Sequence, residues 1–465
     1  AWPTQIVGGE KLSNTKDEIS PVMRGLSEYI ADALNKPLPP EVMEKAKQHS
    51  LDTLAAMVSG AKMHPGEMAI KYARLQGGVP EAVVAGSDVV TSATVAALAN
   101  GMTAHADETD DSHLASRSHL GCSVVPAALA LGEKEGRSGV EMMQAVTLGY
   151  DIGGRMTPAL NVNRFYAAGH STHTFAPLFG AASAAGALAK LTPDQVRWML
   201  SYTAQQASGV NCWARDADHI EKAFDFGGMG ARNGVAAVTM VQAGFTGVED
   251  VFSGPRNYFF AFAPDDGKPE LLLEALGERY EITRTNIKKW SVGSPIQAVL
   301  DSVQAIITEQ DLHPEDIAKV VIRMSDNESH VVDNRHMADI NVQHLASVMV
   351  LDRTVSFVTA HDNERMNDPD VLAVKAKVAL TPDPTLERRK PIIVIKTVNG
   401  KEHEHQTLAV RGTPDNPMTR EEVDAKAYDL FAGVLGAKKA RTLIDTFWDI
   451  ENLKNVRDLR PLLMP

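Results

Sequence analysis

At 465 residues the chain exceeds what one compact core supports, so two domains are expected. Hydrophobic residues make up 44%, charged residues 23%, and the formal net charge is −13 with no long basic run, which argues against a general nucleic-acid or anionic-membrane binder but leaves room for a locally basic pocket. The two cysteines, Cys122 and Cys212, cannot build a disulfide framework or an all-cysteine iron–sulfur cluster, and a reducing cytoplasm is the expected location.

Residues 1–19 read as a loosely attached arm without the basic-then-apolar pattern of a secretory leader. Residues 22–77 carry apolar side chains at three-to-four spacing, broken by "KPLPP" between two helices. "TSATVAALANGMTAHADE" follows, with Thr91 or Ser92 as N-cap, and "SVVPAALALGEKEG", "GVEMMQAVTLGYDIGGRM" and "APLFGAASAAGALAKL" continue in alanine- and glycine-rich helices that permit close packing. No apolar run is long enough to cross a bilayer. Near residue 275 the character changes. "RYEITRT", "AKVVIRMS" and "AVKAKVALT" are short β-branched segments, and "PIIVIKTVNGKEHEHQTLAV" places two alternating runs around Asn399-Gly400, the pair favoured in a type I′ hairpin turn. Beyond "GTPDNPMT" the pattern returns to amphipathic helix. The expected fold is mainly α: a large all-α domain (20–274 plus 411–465) with a smaller α+β lid (275–410) inserted before the C-terminal helices.

Residues 104–121, "AHADETDDSHLASRSHLG", concentrate titratable chemistry directly after an apolar helix. A metal site would draw on His105, Asp107, Asp110, Asp111 and His113. The two histidines are eight apart rather than i, i+4, and the run lacks the glycine a calcium loop needs at its sixth position, so no metal is expected. A solvated helix end is the plain alternative. The third reading is an acid–base wall in a cleft, where carboxylates raise and burial lowers the proton affinity of neighbouring imidazoles.

"ANGMTAHADETDDSHLASRSHLGCSVVPAALALGE" resembles the MmgE/PrpD family, whose members include 2-methylcitrate dehydratase, cis-aconitate decarboxylase and iminodisuccinate epimerase. The family pattern A-H-A-x-D-x-D-D-T-H, followed by a further His, is met here by His105, Asp110, Asp111, His113 and His119, with Glu108 for the first Asp and Ser112 for the Thr. "YAAGHSTHTFAPLFGAASAAGALAKL" matches the G-x-H-x-T helix entry at His170. Lys222 and Lys288 fall on the family's two signature lysines. Asp225 stands where His is usual, Gly293 replaces another His, and His344 replaces a Tyr. The resemblance implies a helical domain, an α+β lid and a cleft between them for a small anionic carboxylate, with no cofactor and a homodimeric assembly.

On that resemblance, Lys222 and Lys288 are expected to grip substrate carboxylates and stabilise the carbanion or enediolate formed beside one of them. His119 and His170 are the acid–base candidates, with His344 next. Glu108 and Asp111 are expected to tune the imidazoles, and Ser112 to bind a carboxylate oxygen. His113 and Asp225 are placed at the substrate's edge, and His113, Asp110 and His173 also hold the loop. The favoured activity is a hydro-lyase acting on a hydroxylated di- or tricarboxylate of the 2-methylcitrate kind. Decarboxylation, epimerisation and a non-catalytic carboxylate binder stay open, because water loss, carbon dioxide loss and epimerisation use the same equipment. The changes at Asp225, Gly293 and His344 favour a ligand with a hydroxyl, an amine or fewer acidic groups.

Overall fold

The computed structural model describes residues 19–465; all of the expected N-terminal arm except Ile19 lies outside the described residues. The fold is mainly α. Helices run through Pro21–Asp32, Pro40–Gly60, His64–Gln76, Ala93–Ala104, Gly121–Glu135, Gly139–Ala159, Thr172–Leu188, Pro193–Gln205 and Met229–Gln242. Their starts follow local chemistry. Ser20 caps a helix that begins with proline, Ser92 accepts from the Val95 amide, and Ser138–Glu141 and Thr192–Gln195 form reciprocal capping boxes. The helices Ala93–Ala104, Gly121–Glu135, Gly139–Ala159 and Thr172–Leu188 are buried on more than one face and form a continuous alanine-rich core containing Tyr150, Phe175 and Phe179. No described helix is long and apolar enough to cross a membrane.

The first apolar core takes in Ile282 and Ile287, and the second begins at Trp290. The second core lies between one face of a four-stranded sheet and the helices Gln297–Glu309 and Val342–Asp352. The sheet order is Val378–Asp383, Ile317–Ser325, Ile392–Thr397, Glu402–Gln406, the first pair parallel and the others antiparallel. Strand Ile392–Thr397 alternates buried and half-buried positions, sending Ile393 and Ile395 into this core. The last helices, Arg420–Leu435 and Ala437–Trp448, return to the first core through Val423, Phe431, Leu443 and Phe447.

Two local expectations need correction. The hairpin at Asn399-Gly400 forms, but only Gly400 has positive φ (85°), whereas a type I′ turn needs it at both central residues. The chain instead makes a three-residue loop, with the Gly400 amide donating to Thr397 O at 3.0 Å and Lys401 N donating to the Thr397 hydroxyl. "RYEITRT" is not a strand. Residues Glu281–Arg284 form one 3₁₀ turn, because the Glu281 amide donates to the buried carboxylate of Asp151 (2.7 Å) and leaves the backbone no sheet partner.

Candidate active site

The loop between helices Ala93–Ala104 and Gly121–Glu135 is pinned from behind by Asp111. Its Oδ2 lies 2.8 Å from His49 Nδ1 and accepts from the Tyr150 hydroxyl, while its Oδ1 accepts from the Gly121 amide at 3.0 Å. A side chain at 121 would fall 2.5 Å from the Thr53 hydroxyl and 2.9 Å from Asp111 itself, so this junction requires glycine. A second pin is His113, whose Nδ1 meets Ser116 Oγ at 2.8 Å and whose Nε2 meets Glu281 at 3.2 Å. Ser112 exchanges backbone hydrogen bonds with Asn286 (3.0 and 2.8 Å), which brings the chain to Lys288.

In front of these pins, one carboxylate organises two imidazoles. Asp110 Oδ1 lies 3.0 Å from Nδ1 of His105 and 3.2 Å from Nδ1 of His119, whose rings meet edge to face at 4.9 Å. Burial works to raise the Asp110 pKa but is outweighed by these two histidines, leaving it well below the usual carboxylate range. For His105, burial wins over Asp110 and lowers the pKa, which favours a neutral ring with Nδ1–H donating to Asp110 and Nε2 as a lone pair. His119 is oriented by the same oxygen.

Phe226 forms the aromatic wall. Its ring stacks on His173 (3.8 Å, 7°) and on His105 (4.3 Å, 21°), approaches His119 at 5.4 Å, and lies beneath the Lys222 ammonium at 5.2 Å. It is placed by a π-helical turn, Phe224–Gly228, between the short helix Ile220–Ala223 and helix Met229–Gln242. The extra residue of that turn shifts the side chains relative to a regular helix. His173 is driven well below its ordinary pKa, by burial first and then by His119, His105 and Lys222. For His219, burial and then Lys222 push the value down to about 3.

The cationic clamp meets this wall at Glu108, whose side chain pairs with Lys222 and lies 3.8 Å from Lys288. Lys288 also donates to Glu108 O at 2.6 Å and stands 4.0 Å from Asp110. Burial raises the Glu108 pKa, but Lys222 and Lys288 pull it well below the usual range. The second core's side of the chain contributes three more groups. His361 Nε2 sits 2.7 Å from Asp107 and 3.9 Å from Asp339, an ion contact rather than a well-angled hydrogen bond. Burial lowers the His361 pKa, but the Asp107 contact and the Asp339 charge win and lift it to about 9. Burial raises Asp339 to about 6, and it feels Glu108 across the gap, as does Arg389. Glu108, Asp110, His105 and His119 are all at most 9% exposed, so the wall is largely buried.

Comparison with known proteins gives this arrangement a lineage. The chain matches the MmgE/PrpD N-terminal domain over residues 24–270 and the MmgE/PrpD C-terminal domain over 290–451. The chain belongs to the MmgE/PrpD family. It is 26% identical over 284 residues to the cis-aconitate decarboxylase-like protein oryM of Aspergillus oryzae, a stretch covering 57% of each chain. It is 25% identical over 303 residues to a cis-aconitate decarboxylase of Aspergillus terreus, covering 62% of this chain and 60% of that one. The aligned region thus spans under two thirds of these relatives.

Of the residues expected to form the site of this MmgE/PrpD protein, Glu108, His119, Lys222 and Lys288 converge. Asp111 and His113 are internal pins rather than lining groups, and Ser112 acts here through its backbone. Asp225 faces the other side of the π turn, accepting from the Ser171 hydroxyl, and burial lifts its pKa to about 6. Among the described residues no contact joins His170 or His344 to the imidazole cluster. His170 stacks on Phe165 (4.4 Å) and borders Phe262, while His344 is buried near Lys375 and Arg365, which with burial lower it to about 4. The place next to His119 belongs to His173, at 5.5 Å. Sequence reasoning did not single out His219, Phe226, His361, Asp339 or Arg389: His219, Phe226 and Asp339 lie in segments already matched to the family but not at its signature positions, and His361 and Arg389 lie in segments without a local pattern. Two triads, His105–Asp110–His119 and His105–Glu108–His219, have ligand atoms close enough to hold a metal.

Proposed function

We propose that the protein is a lyase that removes a proton from the carbon beside a carboxylate of a small di- or tricarboxylic acid and expels a group from the neighbouring carbon. The observation that carries this reading is the pair of imidazoles held through Nδ1 by one carboxylate, Asp110, against a two-lysine clamp. With Nδ1 committed to Asp110, His119 presents Nε2 as the base. Lys222 and Lys288 take up the negative charge that develops on the substrate carboxylate. Lys222 exchanges its pairing with Glu108 for the substrate's anionic group, so Glu108 keeps the empty clamp neutralised. The His119 imidazolium formed by removing the proton hands it to the departing hydroxyl, so the group leaves as water and His119 returns neutral. Neutral His105, with Nε2 as a free acceptor, offers no charge to a further anionic group, which fits a hydroxylated substrate better than a fully anionic one.

Water loss is therefore the primary reading. Decarboxylation is the second, supported by the names of the Aspergillus relatives. The test is to incubate the chain, in excess chelator, with hydroxylated di- and tricarboxylates and with cis-aconitate, following products by proton NMR and released carbon dioxide. Unsaturated acid formed without gas is expected, and His119→Gln should lower kcat about 10²- to 10⁴-fold with an unchanged circular dichroism spectrum. Gas release selects the decarboxylase. Turnover unaffected by His119→Gln, or none with any of these acids, would sink the proposal.

A further inference from the structure

Three imidazoles in this wall, His105, His173 and His219, have a ring nitrogen with no hydrogen-bond partner among the described residues, and two of them gather around one carboxylate. Nε2 of His105, fully buried, and Nε2 of His219, in a residue 8% exposed, lack any hydrogen-bond partner among the described residues. Their rings lie 5.3 Å apart, and one ligand atom from each falls within 4.8 Å of the other and of a Glu108 carboxylate oxygen. Leaving such buried groups unsatisfied is costly, so the arrangement is poised for something that accepts lone pairs. Two imidazoles and one carboxylate with a fourth position open form a ligand set that zinc uses. The outer support is also in place, because His105 Nδ1 is held by Asp110, the carboxylate–histidine contact that fixes ring and tautomer in metal sites.

We propose that His105, Glu108 and His219 form a binding site for a zinc-class divalent cation, and that filling it displaces Lys222 from Glu108 and silences the enzyme. The silencing rests on the lyase reading above; the binding does not. The ammonium of Lys222 and the cation compete for one carboxylate, and Lys288, 3.8 Å from that carboxylate, adds repulsion. Occupancy is thus reversible and opposed by the resident charge. That competition separates this site from an adventitious histidine cluster. The alternative triad around Asp110 is disfavoured because His105 and His119 both already use Nδ1 on Oδ1 of that residue.

The test is calorimetric titration of the chelator-stripped chain with zinc chloride, no organic acid present, repeated with cobalt to read coordination from its visible absorption. One strong site per chain is expected. His219→Gln, and separately His105→Gln, should weaken it by more than about tenfold. Lys222→Gln should strengthen it about tenfold, because the competing charge is gone. Zinc at the same concentration should abolish turnover, and chelator should restore it. Affinity unmoved by His219→Gln, affinity lost with His119→Gln but kept with His219→Gln, or affinity lowered by Lys222→Gln would each overturn the assignment. Should His105→Gln fail to fold, His219→Gln and Lys222→Gln decide. Tight zinc binding with unchanged turnover overturns the silencing while leaving the lyase reading intact, whereas absence of turnover in chelator strikes that reading alone.

Discussion

Asp225 carries an ionisable group in a place that resists charge. It is 5% exposed, its carboxylate held by the Ser171 hydroxyl, and burial lifts its pKa from 3.8 to about 6 despite that bond. A carboxyl whose folded pKa is raised stabilises the fold fully below the unfolded value, here about 3.8, and that contribution is lost as pH rises to about 6. Asp225→Asn keeps the acceptor and removes the titration. The variant should match the wild type in denaturation midpoint near pH 4 and exceed it above pH 6, by about 1–3 kcal/mol. A stability gap independent of pH between 4 and 7 would refute this. The same scale shows what a sequence conceals. The loop 105–119 is legible because many titratable groups crowd into one short stretch, and both lysines are legible only through the family resemblance. His170 and His173 are three residues apart on either side of the start of helix Thr172–Leu188, and spacing cannot say which ring turns toward Phe226. His361, Asp339 and Arg389 reach the site from far along the chain, and each alone looks like any surface polar residue.

At the scale of elements, the site depends on one crossing. The π turn Phe224–Gly228 meets helix Ala93–Ala104 where Gly227 passes Gly101, so close that a Cβ on Gly227 would lie 1.9 Å from the Gly101 carbonyl oxygen. Backbone contact of that kind sets Phe226 against His105 and leaves no flexible side chain to yield. Gly227→Ala should destabilise the chain by about 3 kcal/mol or more in chemical denaturation and, in what folds, lower turnover by disturbing the Phe226 stack. A loss under 1 kcal/mol would show that the helices separate easily and that the crossing does not position the wall. The helices themselves are readable from caps and apolar spacing, as at Ser92 and Ser138. The π turn is not, because one additional residue within a helical pattern leaves the composition unchanged. "RYEITRT" misleads for a related reason: β-branched content reports fit to a pleated surface, but here a buried carboxylate captures the backbone amide first.

At the scale of the whole molecule, the two apolar cores are bridged at the site by an ion contact, His361 to Asp107. The groups facing the His361 ring are Asp107 and Asp339, and its other nitrogen donates to Phe357 O at 2.7 Å, which fixes the tautomer. Since the folded pKa is raised from 6.5 to about 9, the bridge contributes fully below pH 6.5 and fades as pH climbs to 9. Asp107, depressed by the same contact, titrates below this window, and Asp339, raised to about 6, is part-way through its ionisation at the lower edge. His361→Gln should therefore destabilise most at about pH 6.5, by up to about 3 kcal/mol, and by little above pH 9.5. Paired denaturation curves of wild type and variant at the two pH values measure this directly. A difference that stays constant across the range would mean that His361 contributes packing rather than charge. Because Asp107 and Glu108 are adjacent in the loop, loss of the bridge at alkaline pH should also loosen the wall that holds Lys222, and the substrate KM should rise with pH in the wild type and less so in His361→Gln. Parallel KM profiles would separate closure of the two cores from substrate binding.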